Sequence, residues 1–278
     1  MRQYLDLLRK ILDEGHWKHQ RAKLAGTTSL KTKALFGLQT RYDLNAGFPL
    51  VTTKRVPFRL IREELLWFLS GSTNNHDLNA RGVTIWDEWA DEQTGELGPI
   101  YGQQWRRWEC VGGGTYDQVR ALVNNVRALK ADPEHPSGRR LLLTALNPPD
   151  VLKMRGPSAC HTLAQFDVTE GRLSCQFYQR SADMFLGVPF NVACYALLTH
   201  LLAKVTGLGV GELIHTFGDA HVYENHLDQV REQLTREPKP LPRLVLDDAI
   251  TDVDGVRSEW IRLEGYVSHP PLKGEVAV

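Results

Sequence analysis

The stretch Thr162 to Gln179, TLAQFDVTEGRLSCQFYQ, decides the fold class. Apolar and polar residues alternate on both sides of the turn-like pair Glu170-Gly171, so the spacing predicts two strands, Thr162 to Val168 and Arg172 to Gln179. Arg140 to Leu146 is a strand candidate upstream. Downstream, Phe190 to Val205 reads as an apolar helix closed by Gly207, followed by a strand over Leu213 to Phe217. Nearer the N-terminus, Tyr4, Leu5, Leu8, Ile11 and Leu12 repeat with a helical period that stops at Gly15. The polar segment His16 to Lys33 reads as a loop, and Leu35 to Leu38 and Arg41 to Leu44 suggest strands. Helices are expected over Phe58 to Leu69, ending at Gly71, over Tyr116 to Lys130, and from a cap at Asp219 to about Leu234. Strands that come in runs, without regular βαβ alternation, predict an α+β fold: a single domain with a mixed β-sheet layered with helices. No internal repeat or interdomain linker is visible.

The chain has 278 residues, enough to bury a large core. Lys plus Arg and Asp plus Glu are both 33, so no basic field draws the protein toward nucleic acid, and an anion must meet a local cluster. Cys110, Cys160, Cys175 and Cys194 include no C-x-x-C pair, which argues against a zinc knuckle or a dithiol redox motif. The N-terminal stretch carries Asp6, Asp13 and Glu14 and lacks the apolar core of a signal peptide. Val192 to Val205, the longest apolar run, is too short to span a bilayer. A cytoplasmic protein with free thiols and no membrane contact is expected.

Some motifs attract and fail. Gly207, Gly209 and Gly211 follow a helix and precede a strand, the reverse of the order a dinucleotide fingerprint needs. Gly112 to Gly114 lacks the Lys and Ser/Thr of a phosphate loop and reads as a hairpin tip. His215 and His221 are expected on different elements without a third ligand, so no metal is expected. Cys160-His161 with Asn191 superficially suggests a Cys-His-Asn hydrolase, but adjacent residues on an extended chain point apart.

Arg21, the pair Arg139-Arg140 and Arg180 have the planar forks that hold phosphate oxygens bidentately. Around them lie PLVTTKR (Pro49 to Arg55), ELLWFL (Glu64 to Leu69), TIWDEW (Thr84 to Trp89) and GPIYG (Gly98 to Gly102). Cys160-His161, Gln176 to Asp183, FLGVPFN (Phe185 to Asn191), GDAHVY (Gly218 to Tyr223) and Arg236-Glu237-Pro238 follow in order, and the chain ends on a hydrophobic Val278. Together these blocks resemble the thymidylate synthases, the folate-dependent family with a cysteine nucleophile, over almost the whole chain.

That resemblance implies reductive methylation of dUMP to dTMP with methylene-tetrahydrofolate, which leaves as dihydrofolate. Cys160 is implied as the thiolate that adds to uracil C6, and Arg180 as the cation that lowers its pKa and meets the phosphate. Glu64 would organise proton transfers, its pKa raised by burial. Tyr101 and Asp183 join the implied catalytic set. Asn191 would read the pyrimidine edge, donating to O4 and accepting from N3–H. His221 and Tyr223 match the residues that bind the 3'-hydroxyl. Arg21, Arg180, Ser181 and the pair Arg139-Arg140 match the phosphate ligands, the pair reaching into the partner's site of a sheet-to-sheet homodimer that buries the strands around Leu141 to Leu143 and Leu163 to Phe166. For the folate, Trp86, Asp183, Gly187 and Val278 match residues that hold or cover the pterin, and Lys54 the one that meets its glutamate tail.

Two departures stand out. Ala159 precedes Cys160 where the family usually has Pro, and Arg21-Ala22-Lys23-Leu24-Ala25-Gly26 replaces a shorter glycine-rich loop, with Gln20 where Asp is common. The nearest rival is a dUMP or dCMP hydroxymethylase of the same fold, and a remoter one a non-catalytic nucleic-acid-binding or regulatory homologue. Nucleic acid is not an obligatory partner in this reading, although binding to its own mRNA stays open.

Overall fold

Strand alternation around Glu170-Gly171 builds the centre of the molecule. In the computed structural model, which describes residues 1–24 and 28–276, the chain runs α1 (Arg2–Glu14), β1 (His16–Leu24), β2 (Thr28–Asp43), α2 (Phe58–Ser70), α3 (His76–Asn79) and α4 (Tyr101–Arg106). It continues through β3 (Trp108–Glu109), β4 (Thr115–Tyr116), α5 (Gln118–Ala131), β5 (Leu142–Thr144), β6 (His161–Thr169) and β7 (Arg172–Asp183). The remainder is α6 (Gly187–Thr206), β8 (Gly209–Tyr223), α7 (Leu227–Leu234), β9 (Arg243–Leu246) and β10 (Ile261–Glu264). Six strands form one mixed sheet in the order β1-β2-β8-β7-β6-β5. Only the β7-β8 pair is parallel, because α6 carries the chain across between them. This is the expected single-domain α+β architecture, with one hydrophobic core.

Glu170 and Gly171, at φ 53° and 72°, make the tight turn between β6 and β7. On one sheet face Ala164, Phe166, Leu173, Cys175 and Phe177 are buried, with β7 packed against α6 and β6 against α5. α6 is longer than the apolar run suggested, 20 residues, and long enough to cross a membrane by length and composition alone. Its residues are nevertheless mostly buried inside the fold, and Gly207 ends it in the left-handed conformation at φ 67°. Each large apolar side chain sunk here contributes about 1.5–3 kcal/mol.

Several sequence expectations need correction. His16 to Lys33 is not a loop: it forms β1 and the start of β2, a hairpin whose mostly polar strands leave no period to read. The two short strands expected within Leu35 to Leu44 are one, since β2 is continuous to Asp43. Asp219 lies within β8 rather than capping a helix, and α7 begins only at Leu227. His215 and His221 therefore share one strand. Leu141, Leu143, Ala164 and Phe166 are buried within the chain itself, and it is the alternate residues Leu142, Leu163 and Tyr178 of these strands and of β7 that are exposed.

Candidate active site

The nucleophile candidate sits where β6 begins. The Cys160 N–H donates to Tyr101 Oη at 2.9 Å, and its carbonyl accepts from the Arg180 backbone N–H at 2.8 Å. α4 and β7 thus clamp the residue from both sides. The Arg180 side chain folds back over it: Nε donates to the Ala159 carbonyl at 3.0 Å, Nη2 donates to Ser158, and Nη2 stands 3.9 Å from Cys160 Sγ. Burial pushes the Cys160 thiol up, and the Arg180 charge only partly offsets that. The expected lowering of the thiol pKa is therefore not met in the free protein. Ala159 in place of the usual Pro is buried, and the strand entry is held by these hydrogen bonds.

His161 takes no base role toward Cys160. Its ring stacks on Tyr101 at 4.0 Å between centroids, its Nδ1 pairs with Tyr195 Oη at 3.0 Å, and burial brings it down to about 3, so it is neutral. Tyr101 in turn lies 6.3 Å from Trp86, whose indole N–H donates to Glu64 Oε1 at 2.8 Å. Burial pushes Glu64 up to about 7, with only the indole bond opposing. A carboxyl poised near neutrality can carry a proton in either direction.

Asn191 projects from the first turns of α6, and its Oδ1 accepts from Gln179 Nε2 at 3.0 Å. That bond fixes the amide orientation and leaves Asn191 Nδ2 without a partner among the described residues. Gln179 also donates to the Ser181 carbonyl at 3.0 Å, and its buried Oε1 has no partner among the described residues. Asp183 ends β7, where Oδ1 accepts from the N–H groups of Phe185 and Leu186 at 2.9 and 3.1 Å and so sets the turn into Gly187 and α6.

On β8, His221 Nδ1 meets Asp219 Oδ1 at 3.0 Å, and Tyr223 packs edge-on to His221 at 5.2 Å. The His221 contact, with Lys18 at 2.6 Å, holds the Asp219 carboxyl at about 2 despite partial burial. Burial raises Tyr223 to about 12. His215 is packed between Phe177 and Phe217 at 3.9 and 3.7 Å, and no metal-holding group of three ligands occurs among the described residues.

Other candidates lie elsewhere or inward. Lys54 is buried, with Nζ donating to the Phe185 carbonyl and lying 3.6 Å from the Phe185 ring centroid. Burial takes its ammonium down to about 8, and Asp183 partly opposes this. A lysine so engaged presents no outward charge for a glutamate tail. Arg139 and Arg140 are exposed, with no side-chain partner among the described residues. Leu142 pairs with Gln165 and the Leu141 carbonyl accepts from the Phe166 N–H, so Arg140 leaves the ladder beside Phe166, six residues along β6 from Cys160. At about 3.3 Å per residue that is about 20 Å, beyond the reach of an arginine of the same chain. The Arg21 side chain and Val278 lie outside the described residues. Short of Val278, the tail is held at the Glu275 carbonyl by His226 at 2.9 Å and Asn225 at 3.2 Å.

The structure therefore gathers Cys160, Arg180 and Tyr101, links Tyr101 through Trp86 to Glu64, and sets Ser181 and Asn191 beside each other through Gln179. Gln179 was missed as a site residue. Its signal was a polar residue on the inward face that Leu173, Cys175 and Phe177 define. Ser158 was missed too, and no local pattern marks it.

A thiol under a guanidinium, with a near-neutral carboxyl on the adjoining helix, is the arrangement of a cysteine-nucleophile enzyme on an α+β frame. The thymidylate synthase family model matches residues 2–278, and the chain belongs to the thymidylate synthase family. The family comprises folate-dependent methyltransferases that bind dUMP.

Proposed function

We propose that this chain is a thymidylate synthase that converts dUMP to dTMP with methylene-tetrahydrofolate. The observation that carries the reading is Cys160 Sγ held 3.9 Å beneath Arg180 Nη2, at a strand entry clamped by Tyr101. The Cys160 thiol gives its proton to solvent, Sγ bonds to uracil C6, and the electrons of the C5=C6 bond move toward C5 and O4. The unpartnered Nδ2 of Asn191 suits the charge developing on O4, and cytosine, with an amino group there, would meet a donor instead. Glu64, near neutrality, handles protons around the ring. Arg180 and Ser181 are the phosphate ligands of this reading, and His221 and Tyr223 hold the sugar.

Trp86, half-buried over Glu64, and Asp183, whose Oδ2 accepts no bond among the described residues, suit the apolar face and polar edge of a pterin, with Gly187 beside them. The folate, when bound, supplies the methylene carbon and a hydride. The outward face of Leu142, Leu163 and Tyr178 and the distance of Arg140 from its own Cys160 both favour a homodimer in which Arg139 and Arg140 complete the partner's phosphate site. Free cysteines at all four positions suit a reducing cytoplasm.

The test is the intact mass after incubation with fluoro-dUMP and methylene-tetrahydrofolate. A ternary covalent adduct on Cys160, absent in Cys160→Ala, is expected, and no adduct overturns the reading. Product analysis with dUMP separates the hydroxymethylase, which would release hydroxymethyl-dUMP without dihydrofolate.

A further inference from the structure

The segment that leads into Cys160 is pinned on both sides of Ser158. Upstream, the Arg155 guanidinium pairs with Asp91 at 2.9 Å, and Gly156 lies so close to Trp89 that an added Cβ would stand 2.8 Å from the Trp89 Cβ. Downstream, the Cys160 N–H is fixed on Tyr101. Between these anchors Ser158 offers two acceptors to a single nitrogen: Arg180 Nη2 donates to its carbonyl at 2.5 Å and to its hydroxyl at 2.7 Å. The same Nη2 is the atom that faces Cys160 Sγ at 3.9 Å. Arg180 Nη1 has no partner among the described residues.

We propose that Ser158 is a positioning residue whose hydroxyl fixes Arg180 Nη2 over Cys160, holding positive charge at the nucleophile and leaving Nη1 for an anionic group of the substrate. Arginine is flexible, and a short hydrogen bond from an ionised donor is among the stronger restraints on its rotamer. Without the hydroxyl, Nε and Nη2 keep only backbone carbonyls, so the guanidinium loses one of three restraints and its Nη2 is held less firmly over the sulfur. The thiolate then loses part of its nearest counter-charge.

This inference rests on Cys160 as the nucleophile but not on the methylation reaction. Its test uses the whole protein without substrate: the rate of iodoacetamide labelling of Cys160 against pH, resolved by peptide mass so that exposed Cys110 does not interfere. Ser158→Ala is expected to move the labelling midpoint up by about half a pH unit or more, and Ser158→Thr to keep the parental midpoint. In an Arg180→Gln background Ser158→Ala should add no further shift. An unchanged midpoint in Ser158→Ala, an equal shift in the Arg180→Gln background, or a Thr variant that behaves like Ala would each overturn the proposal. A missing fluoro-dUMP adduct in the parent protein alongside intact Ser158–Arg180 coupling would defeat the synthase reading and leave this one standing.

Discussion

Glu63 and Glu64 are neighbours on α2, turned about 100° from one another by the helix. Both lose water, and burial pushes both carboxyls upward. Glu63 nevertheless ends below the ordinary carboxylate range, because the Ser258 hydroxyl at 2.7 Å, Arg62 at 2.9 Å and Arg81 at 3.5 Å all favour its charge. Glu64 has one neutral donor, the Trp86 indole at 2.8 Å, and rises to about 7. The cations beside Glu63 offset its desolvation, whereas Glu64 is desolvated with one neutral donor, and that difference separates a structural ion pair from a group poised to move protons.

The sharpest way to break the comparison is to neutralise each carboxyl in turn. Glu64→Gln should lower dTMP formation by about 10²–10⁴-fold, the usual worth of a proton-transfer group, without lowering the melting temperature. A similar loss of turnover in Glu63→Gln, measured per folded molecule, would dissolve the distinction. Glu63→Gln is instead expected to leave Arg62 and Arg81 without their carboxylate and to destabilise the fold by about 1–3 kcal/mol in urea unfolding.

Stability against pH sharpens the same contrast. Glu64 has a folded pKa raised from 4.5 to about 7, so the unfolded chain surrenders its proton first and stability falls as pH rises across that window. Glu63 has the opposite sign: its contribution is present above its unfolded pKa and lost as pH falls through the folded one. Between pH 5 and 8, Glu64→Gln should remove a decline on the order of 1–3 kcal/mol, read as the difference between the two unfolding curves. The smallest expected effect is Trp86→Phe, which deletes the one donor that favours ionised Glu64. The acid limb of its turnover profile should move up by about half a pH unit.

The parts of the fold with strong hydrophobic period were legible: α1, α2, α6, and the β6-β7 hairpin. β1 and the first part of β2 were not, because a polar hairpin such as His16 to Lys33 takes its place by pairing with β8 at register Thr32 to Tyr223, a contact no local pattern encodes. The same non-local cause hid Asp219, whose capping chemistry served the His221 and Lys18 contacts instead. Site residues were recognisable one by one from their motifs. What held them was not: Gln179 acts through a buried amide and Ser158 through an arginine 22 residues away. The direction of the Cys160 shift was also illegible, since it depends on how much water the fold removes.

The indole above Glu64 gives the molecule an optical consequence. Trp86 lies 5.9 Å from Trp67 and 5.7 Å from Trp89, so excitation taken up by this nest passes readily among its members. Its emission should therefore change with the ionisation of one neighbouring carboxyl, and a fluorescence titration near neutrality would watch Glu64 gain and lose its proton without any substrate present.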